Sequence, residues 1–278
     1  MKPFQIGVCS WSLAIKDLGR TLETIRRELP VTLTQIGFFG ENIPTRERHE
    51  EVVNLAKASG LEFSASCIGF AGEDYSTIQR IAATGGYVPD DDFENRFELT
   101  VRTADLTRRL GLDKLAAHIG FVPHDRGSAR YRTMVERIQR LTDALGERGV
   151  TLLMETGQEP AAALIQFMDD VGRPNVRVNF DPANMVLYGV GDPVEAVELL
   201  RERIAHVHMK DAIWSSQPGK TWGQEVPLGN GDARIPEVVS KLRAIGYKGP
   251  LVIEREGGNN RLGDIQDAID LLKSLVGD

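Results

Sequence analysis

Short apolar runs alternate with longer amphipathic stretches along the chain. Segment 4–9, Phe-Gln-Ile-Gly-Val-Cys, reads as a strand, and 17–29 repeats its apolar positions at helical spacing. Strand-like 33–38 precedes helical 45–59, and strand-like 61–67 precedes a polar, Gly-rich segment over 68–92. A strong helix over 93–110 is then ended by Gly111. The second half is more regular, with strands predicted over 114–118, 150–155, 176–181, 204–208 and 250–254. Helices are predicted over 129–148, 160–171, 193–203, 235–245 and 262–276. A second long loop, 209–233, carries Trp214, Trp222, Gly223, Gly229 and Gly231.

Eight strand–helix units result. Strict alternation implies a parallel sheet, and eight units in 278 residues fit a single (β/α)8 TIM barrel over 1–278, with no linker and no second domain. An open, doubly wound sheet would be expected to carry Gly-x-Gly-x-x-Gly after an early strand, and none is present there. The two long loops follow strands three and seven. In a barrel both lie at the C-terminal face, where active sites are built.

The ends of the last four strands carry the chemistry. Strand five ends at Glu155, strand six at Asp181, strand seven at His208 and strand eight at Glu254. Side chains alternate faces along a strand. Val176, Val178 and Phe180 then pack on helices while Asn179 and Asp181 point into the barrel, as do His206 and His208. The same parity turns Glu155 and Glu254 inward. Each acidic residue taken alone could be a helix cap or a rim ion pair. Three carboxylates and an imidazole in one ring call instead for a cation. The oxygen-rich set suits Mn²⁺ foremost, with Mg²⁺ or Co²⁺ as alternatives, better than a structural Zn²⁺ site.

Composition narrows the classes. The formal charge of −7 argues against a surface built to hold nucleic acid or anionic lipid. Cys9 and Cys67 are too few for a disulfide framework and read as buried free thiols. No run approaches the roughly 18 apolar residues of a membrane span. The first residues run straight into a strand with no apolar signal region, so a cytoplasmic protein is expected.

The chain resembles the sugar phosphate isomerase/epimerase superfamily, the xylose isomerase-like TIM barrels that include ketose 3-epimerases and endonuclease IV-type repair enzymes. The resemblance spans essentially the whole chain. It rests on Cys-Ser-Trp-Ser-Leu (9–13), Gly-Glu-Asp-Tyr-Ser (72–76), Leu-Met-Glu-Thr-Gly (153–157), Asn-Phe-Asp-Pro-Ala-Asn (179–184), His-Val-His-Met-Lys-Asp (206–211), Pro-Leu-Gly-Asn-Gly (227–231) and Gly-Pro-Leu-Val-Ile-Glu-Arg-Glu (249–256). It implies a metal set of Glu155, Asp181, His208 and Glu254. It further implies that Glu155 and Glu254 exchange a proton on opposite faces of a sugar carbon, through a metal-stabilised enediolate. The expected activity is a divalent-metal-dependent isomerase or epimerase of a sugar or sugar phosphate. The alternative is a lyase or dehydratase of a 3-keto-glycoside or keto-inositol. Asn184 stands where the family often has a His. Asn can hold a sugar hydroxyl but is a poor metal ligand, which argues against a polynuclear, DNA-repair site.

Other residues are weighed beside these. His118, at the end of strand four, points into the mouth as a substrate contact or proton relay. His206 lies one layer below His208, as support or core. Lys210 and Asp211 could meet substrate oxygens or a phosphate, or pair at the rim. Trp11, Phe70, Trp214 and Trp222 could form an apolar wall for a sugar. Glu73 and Asp74 read as ordinary loop carboxylates. The expected partner is a small-molecule sugar or keto-sugar, with neither nucleic acid nor membrane, and assembly into a homo-oligomer is left open.

Overall fold

A computed structural model of the chain describes residues 4–277. Eight parallel strands close into a barrel, as the alternation predicts. They are β1 (Ile6–Cys9), β2 (Leu33–Phe39), β3 (Glu62–Gly69), β4 (Lys114–Ala117), β5 (Thr151–Glu155), β6 (Val176–Phe180) and β7 (Ile204–Met209). A hairpin of β8 (Asp211–Ile213) and β9 (Gln224–Val226) intervenes before the last barrel strand, β10 (Leu251–Ile253). Pairing of Ile6 with Leu251 and of Val8 with Ile253 closes the ring.

Among the described residues, ten α-helices surround it: α1 (Leu18–Glu28), α2 (His49–Ser59), α3 (Ile78–Thr84), α4 (Phe93–Arg109), α5 (Ala129–Gly146), α6 (Ala161–Val171), α7 (Pro182–Tyr188), α8 (Pro193–Leu199), α9 (Ile235–Ala244) and α10 (Arg261–Val276). Several begin on side-chain caps. Asp17 accepts from the Arg20 amide, and Ser128 from that of Tyr131. The structure differs from the sequence reading in short elements. Helix α3 lies inside the 68–92 segment, α7 starts directly after β6, and the helix expected over 193–203 ends at Leu199. The β8–β9 hairpin occupies part of the 209–233 loop. Seven-residue helices span two turns, too few for a periodic signal.

Two kinds of core result. Outside the barrel wall, Ile36, Leu115, Leu152, Val178, Val207 and Ile253 pack against the helices. Inside, a second buried cluster is Ala65, Cys67, Ala116 and Leu153, with Trp11, Phe39 and Ala205 packed against it. Barrel lumens are usually filled by bulky branched side chains, so the small Ala65, Cys67 and Ala116 leave a deep cup. Two bulges shape its lining. β3 carries one extra residue between Phe63 and Ser66, opposite Gln35, and β7 carries Ala205 between the partners of Val178 and Asn179. Bulges re-aim neighbouring side chains. Here Ser64 and His206, beside the two bulges, meet across the lumen at 3.0 Å.

The segment after β3 is organised by Arg96, 2% exposed. Its guanidinium donates to the carbonyls of Gly86 (2.6 Å) and Thr84 (2.8 Å) and lies over the Phe70 ring at 5.2 Å. Gly86 takes φ +55°, and a Cβ there would stand 2.1 Å from the Ile119 carbonyl carbon, so this loop docks on the wall backbone to backbone. Arg96→Met keeps the stem but leaves those carbonyls without a donor. It is expected to cost on the order of 3 kcal/mol, read from urea unfolding midpoints. A loss below about 1 kcal/mol, the size of one ordinary hydrogen bond, would mean that the loop is held by packing alone.

Candidate active site

Strand alternation delivers four groups to one end of the barrel. Glu155 is the last residue of β5, Asp181 follows β6, His208 lies in β7 and Glu254 follows β10. One donor atom of each lies within 4.8 Å of the others, and all four residues are buried. Hydrogen bonds fix how each presents itself. His208 Nε2 donates to Gln35 Oε1 at 2.6 Å, which turns Nδ1 toward the carboxylates; burial lowers the imidazole, but Cys9, Glu254 and Glu155 outweigh it and hold it well above its usual range. That nitrogen is 3.2 Å from Glu155, 3.6 Å from Glu254 and 4.0 Å from Asp181 Oδ2. Asn179 lies against the same imidazole and accepts from His206 Nδ1 at 2.8 Å. Burial, and then His208 and Lys114, keep His206 well below the usual imidazole range, so it stays neutral. The second layer expected for His206 is where it lies.

Asp181 does two jobs. Its Oδ1 caps α7 by accepting from the amides of Ala183 and Asn184 at 2.8 and 3.0 Å. Its Oδ2 is buried with no hydrogen-bond partner. Such an atom is costly unless something positive meets it. Burial pushes the Asp181 carboxyl well above its usual range. Lys210 opposes the rise, and Glu254 and Glu155 add to it. An orphaned oxygen, two neighbouring carboxylates and an imidazole nitrogen aimed among them fit a divalent cation of the Mg²⁺ or Mn²⁺ kind, which would take the place of the proton on that nitrogen. Cys9 also lies near His208 and Glu254. Burial, only partly offset by His208, pushes its thiol up to about 12, so it stays protonated, 3.7 Å from Gln35 Oε1.

The two glutamates differ in company. Glu155 Oε1 accepts from Asn184 Nδ2 at 3.1 Å, and its Oε2 is 3.6 Å from His118 Nε2. Gln158 Nε2 donates to His118 Nδ1 at 2.9 Å, which places the ring proton on the nitrogen facing Glu155. Glu254 accepts from Trp11 Nε1 at 2.8 Å and from the Lys210 ammonium at 2.9 Å. Lys210 also holds Glu256 at 2.5 Å. Burial would raise both glutamates. His118 and then His208 bring Glu155 below its usual value, whereas Lys210 and then His208 hold Glu254 well below it.

A cavity of about 590 Å³ opens above the cluster. Trp11, His118, Asn184 and Lys210 line it together with Glu155 and Glu254, while Asp181 and His208 are fully buried. All eight residues singled out in the sequence thus come together. Two neighbours of this set do not. Trp214 packs on the outer core rather than lining the cavity. The Asp211 carboxylate is consumed by the amides of Ala212, Gly229, Gly231 and Ala233, so it shapes the loop after β8. Glu73 likewise accepts from the Phe70 and Gly86 amides, although it also lines the cavity. Gln35, Gln158, Tyr75, Tyr188 and Glu256 were not picked out from the sequence. The glutamines act through another side chain, and nothing in their spacing marks them.

Comparison with known proteins gives the family and the fold. The family model described as xylose isomerase-like TIM barrel matches residues 27–275. A xylose isomerase domain protein from Planctomyces limnophilus is 34% identical, covering 99% of this chain and 98% of its own, with a TM-score of 0.87. A D-allulose 3-epimerase from Methylomonas sp. is 17% identical, covering 99% of each chain, with a TM-score of 0.70. A xylose isomerase-like barrel from Mycobacterium smegmatis, in complex with magnesium, is 16% identical, covering 99% and 98%, with a TM-score of 0.71. At such identities the last two show the shared fold. No curated protein sequence matches the chain.

The Gln35–His208 bond generates a test. Partners that orient a ligating imidazole are worth about 10–100-fold in metal affinity. Gln35→Leu is expected to weaken Mn²⁺ binding by that factor in calorimetric titration, with the circular dichroism spectrum unchanged. Unaltered affinity would show that His208 does not depend on this acceptor.

Proposed function

Because this chain belongs to the xylose isomerase-like TIM-barrel family, we propose that it is a divalent-metal-dependent isomerase or epimerase of a sugar or keto-sugar, working by proton transfer. The observation that carries the reading is the partnerless Asp181 Oδ2, facing Glu155, His208 and Glu254 beneath an open cavity. These four residues would hold the ion, with Mn²⁺ foremost and Mg²⁺ or Co²⁺ as alternatives. Bound there, it supplies Lewis acidity to a substrate carbonyl and so acidifies the neighbouring C–H.

The protein's own groups supply the proton traffic. Glu155 and Glu254 stand at the ends of β5 and β10, with β6 and β7 between them in the ring. They can therefore address one carbon from two sides. Glu155 has the neutral amide of Asn184 and an imidazole N–H as neighbours. It is the better base of the pair. Glu254 sits against an ammonium, which makes its protonated form the stronger acid and favours giving the proton back. His118 Nε2–H and Asn184 are placed to hold substrate oxygens, and the Trp11 indole offers an apolar face to the sugar.

Three outcomes test the reading. Purified protein is expected to carry about one divalent ion per chain, and chelation is expected to abolish turnover until metal is returned. Asp181→Ala or His208→Ala removes the ion. With metal saturating, Glu155→Gln and Glu254→Gln each lose on the order of 10²-fold in turnover or more, the usual worth of general acid–base catalysis. In D₂O, a ketose panel reveals the step itself through solvent deuterium entering substrate. An active metal-free preparation, or near-normal turnover of both Gln variants at full occupancy, would refute the two-base mechanism.

A further inference from the structure

We propose that the cavity selects an uncharged keto-sugar bearing a flat apolar ring, an aryl glycoside of a keto-sugar or similar conjugate, over a free or phosphorylated monosaccharide. The inference rests on the sugar-site reading above and specifies what that site accepts. The first observation is charge. Among the described residues, Lys210 is the only lysine or arginine lining the cavity, and five glutamates, 73, 155, 225, 254 and 256, line it too. The Lys210 ammonium is already held between Glu254 and Glu256. Arg255, beside the wall, is likewise taken by Glu225 (2.6 Å) and Asp264 (2.9 Å). The amides that start α7 are capped by Asp181. A phosphate or carboxylate away from the four-residue cluster would therefore be stripped of water among like charges with no free lysine or arginine of the lining to receive it.

The second observation is shape and surface. About 590 Å³ is more than one hexose ring fills and falls within the range of roughly 300–1,000 Å³ that drug-sized ligands occupy. The cavity has two aromatic regions. Beside the four-residue cluster, Trp11 and Phe39 pack edge to face at 5.1 Å. A separate pair, Tyr188 and Trp222, lines the cavity with ring centroids 4.6 Å apart, and Phe121 backs Tyr188 from outside the lining at 5.7 Å. Trp222 Nε1 donates to the Tyr75 carbonyl at 3.0 Å, tying the segment between β8 and β9 to the one after β3. This fixes the indole as part of a wall. Tyr75 lines the cavity while 45% exposed, an aromatic not spent on the core. A sugar at the cluster leaves this pair for a second, apolar ring, which aromatic side chains bind by offset or edge-to-face packing.

Titration of the Mn²⁺-loaded protein with phenyl β-glucoside, glucose and glucose 6-phosphate, each the hydroxyl analogue of a keto-sugar, followed by calorimetry, tests this. Phenyl glucoside is expected to bind at least 10-fold more tightly than glucose, and glucose 6-phosphate more weakly than glucose. Trp222→Ala is expected to narrow the phenyl glucoside-to-glucose ratio toward one. Tyr75→Ser, at an exposed position, provides the same readout should Trp222→Ala fail to fold. Equal affinity for glucose and phenyl glucoside, tightest binding of the phosphate, or no measurable binding of the phenyl glucoside overturns the proposal. Repeating the titrations with the metal chelated separates the two readings. Affinities that ignore chelation count against the metal-dependent sugar site, whereas the selectivity ratio in the loaded protein decides the apolar subsite.

Discussion

Three carboxylates cannot share a dry cup unless positive charge sits among them, and the barrel is arranged around that constraint. Asp181, Glu155 and Glu254 are buried at one end of the lumen with only Lys210 and the His208 imidazole to balance them. Charges taken out of water at such separations repel strongly. Each neighbouring feature then has a place. The small lumen layer of Ala65, Cys67 and Ala116 makes the room. Gln35, Asn179, His206 and Ser64 form a hydrogen-bonded chain that satisfies the polar atoms beneath and fixes which His208 nitrogen faces upward. Polar chains of this kind in a core hold position only when every member is satisfied.

Lys210 sets the polarity of the cup. A single ammonium held by Glu254 and Glu256 makes one side of the cavity an ion-paired wall, while Glu155 on the other side meets the Asn184 amide and the His118 and His208 imidazoles. Two glutamates of the same chemistry, at equivalent strand ends, thereby acquire different proton affinities. The same pairing removes the one lysine of the lining from any role as an anion receptor. In the proposed function, this local charge pairing bears on both the direction of proton transfer and the kind of molecule admitted.

Much of this was legible in the sequence because strands repeat every two residues. A polar residue closing an apolar run announces its face and its end of the barrel, so Glu155, Asp181, His208 and Glu254 could be placed from parity. What escaped was short or distant. Helix α7 has seven residues, and the Asp-Pro that opens it served equally as a strand end. Gln35 reads as an ordinary strand residue. Its partner His208 is 173 positions away, a distance that only barrel closure collapses. The aromatic wall was half legible. Trp11, Phe70 and Trp222 line the cavity, but Trp214 turns to the core and Tyr188 takes a place beside Trp222. Loop side chains follow tertiary packing and leave no periodic trace.

Asp181 is a hinge pin shared by two bodies. One oxygen begins α7, and the other faces the cluster. Asn184, Leu187 and Tyr188 of that helix form part of the cavity wall. Filling the cluster therefore loads the same carboxylate from which this wall is hung. Any tilt of the wall around a bound molecule must in turn pull on that carboxylate. In the proposed metal-loaded enzyme, charge neutralisation below and the wall above would thus be coupled through a single side chain.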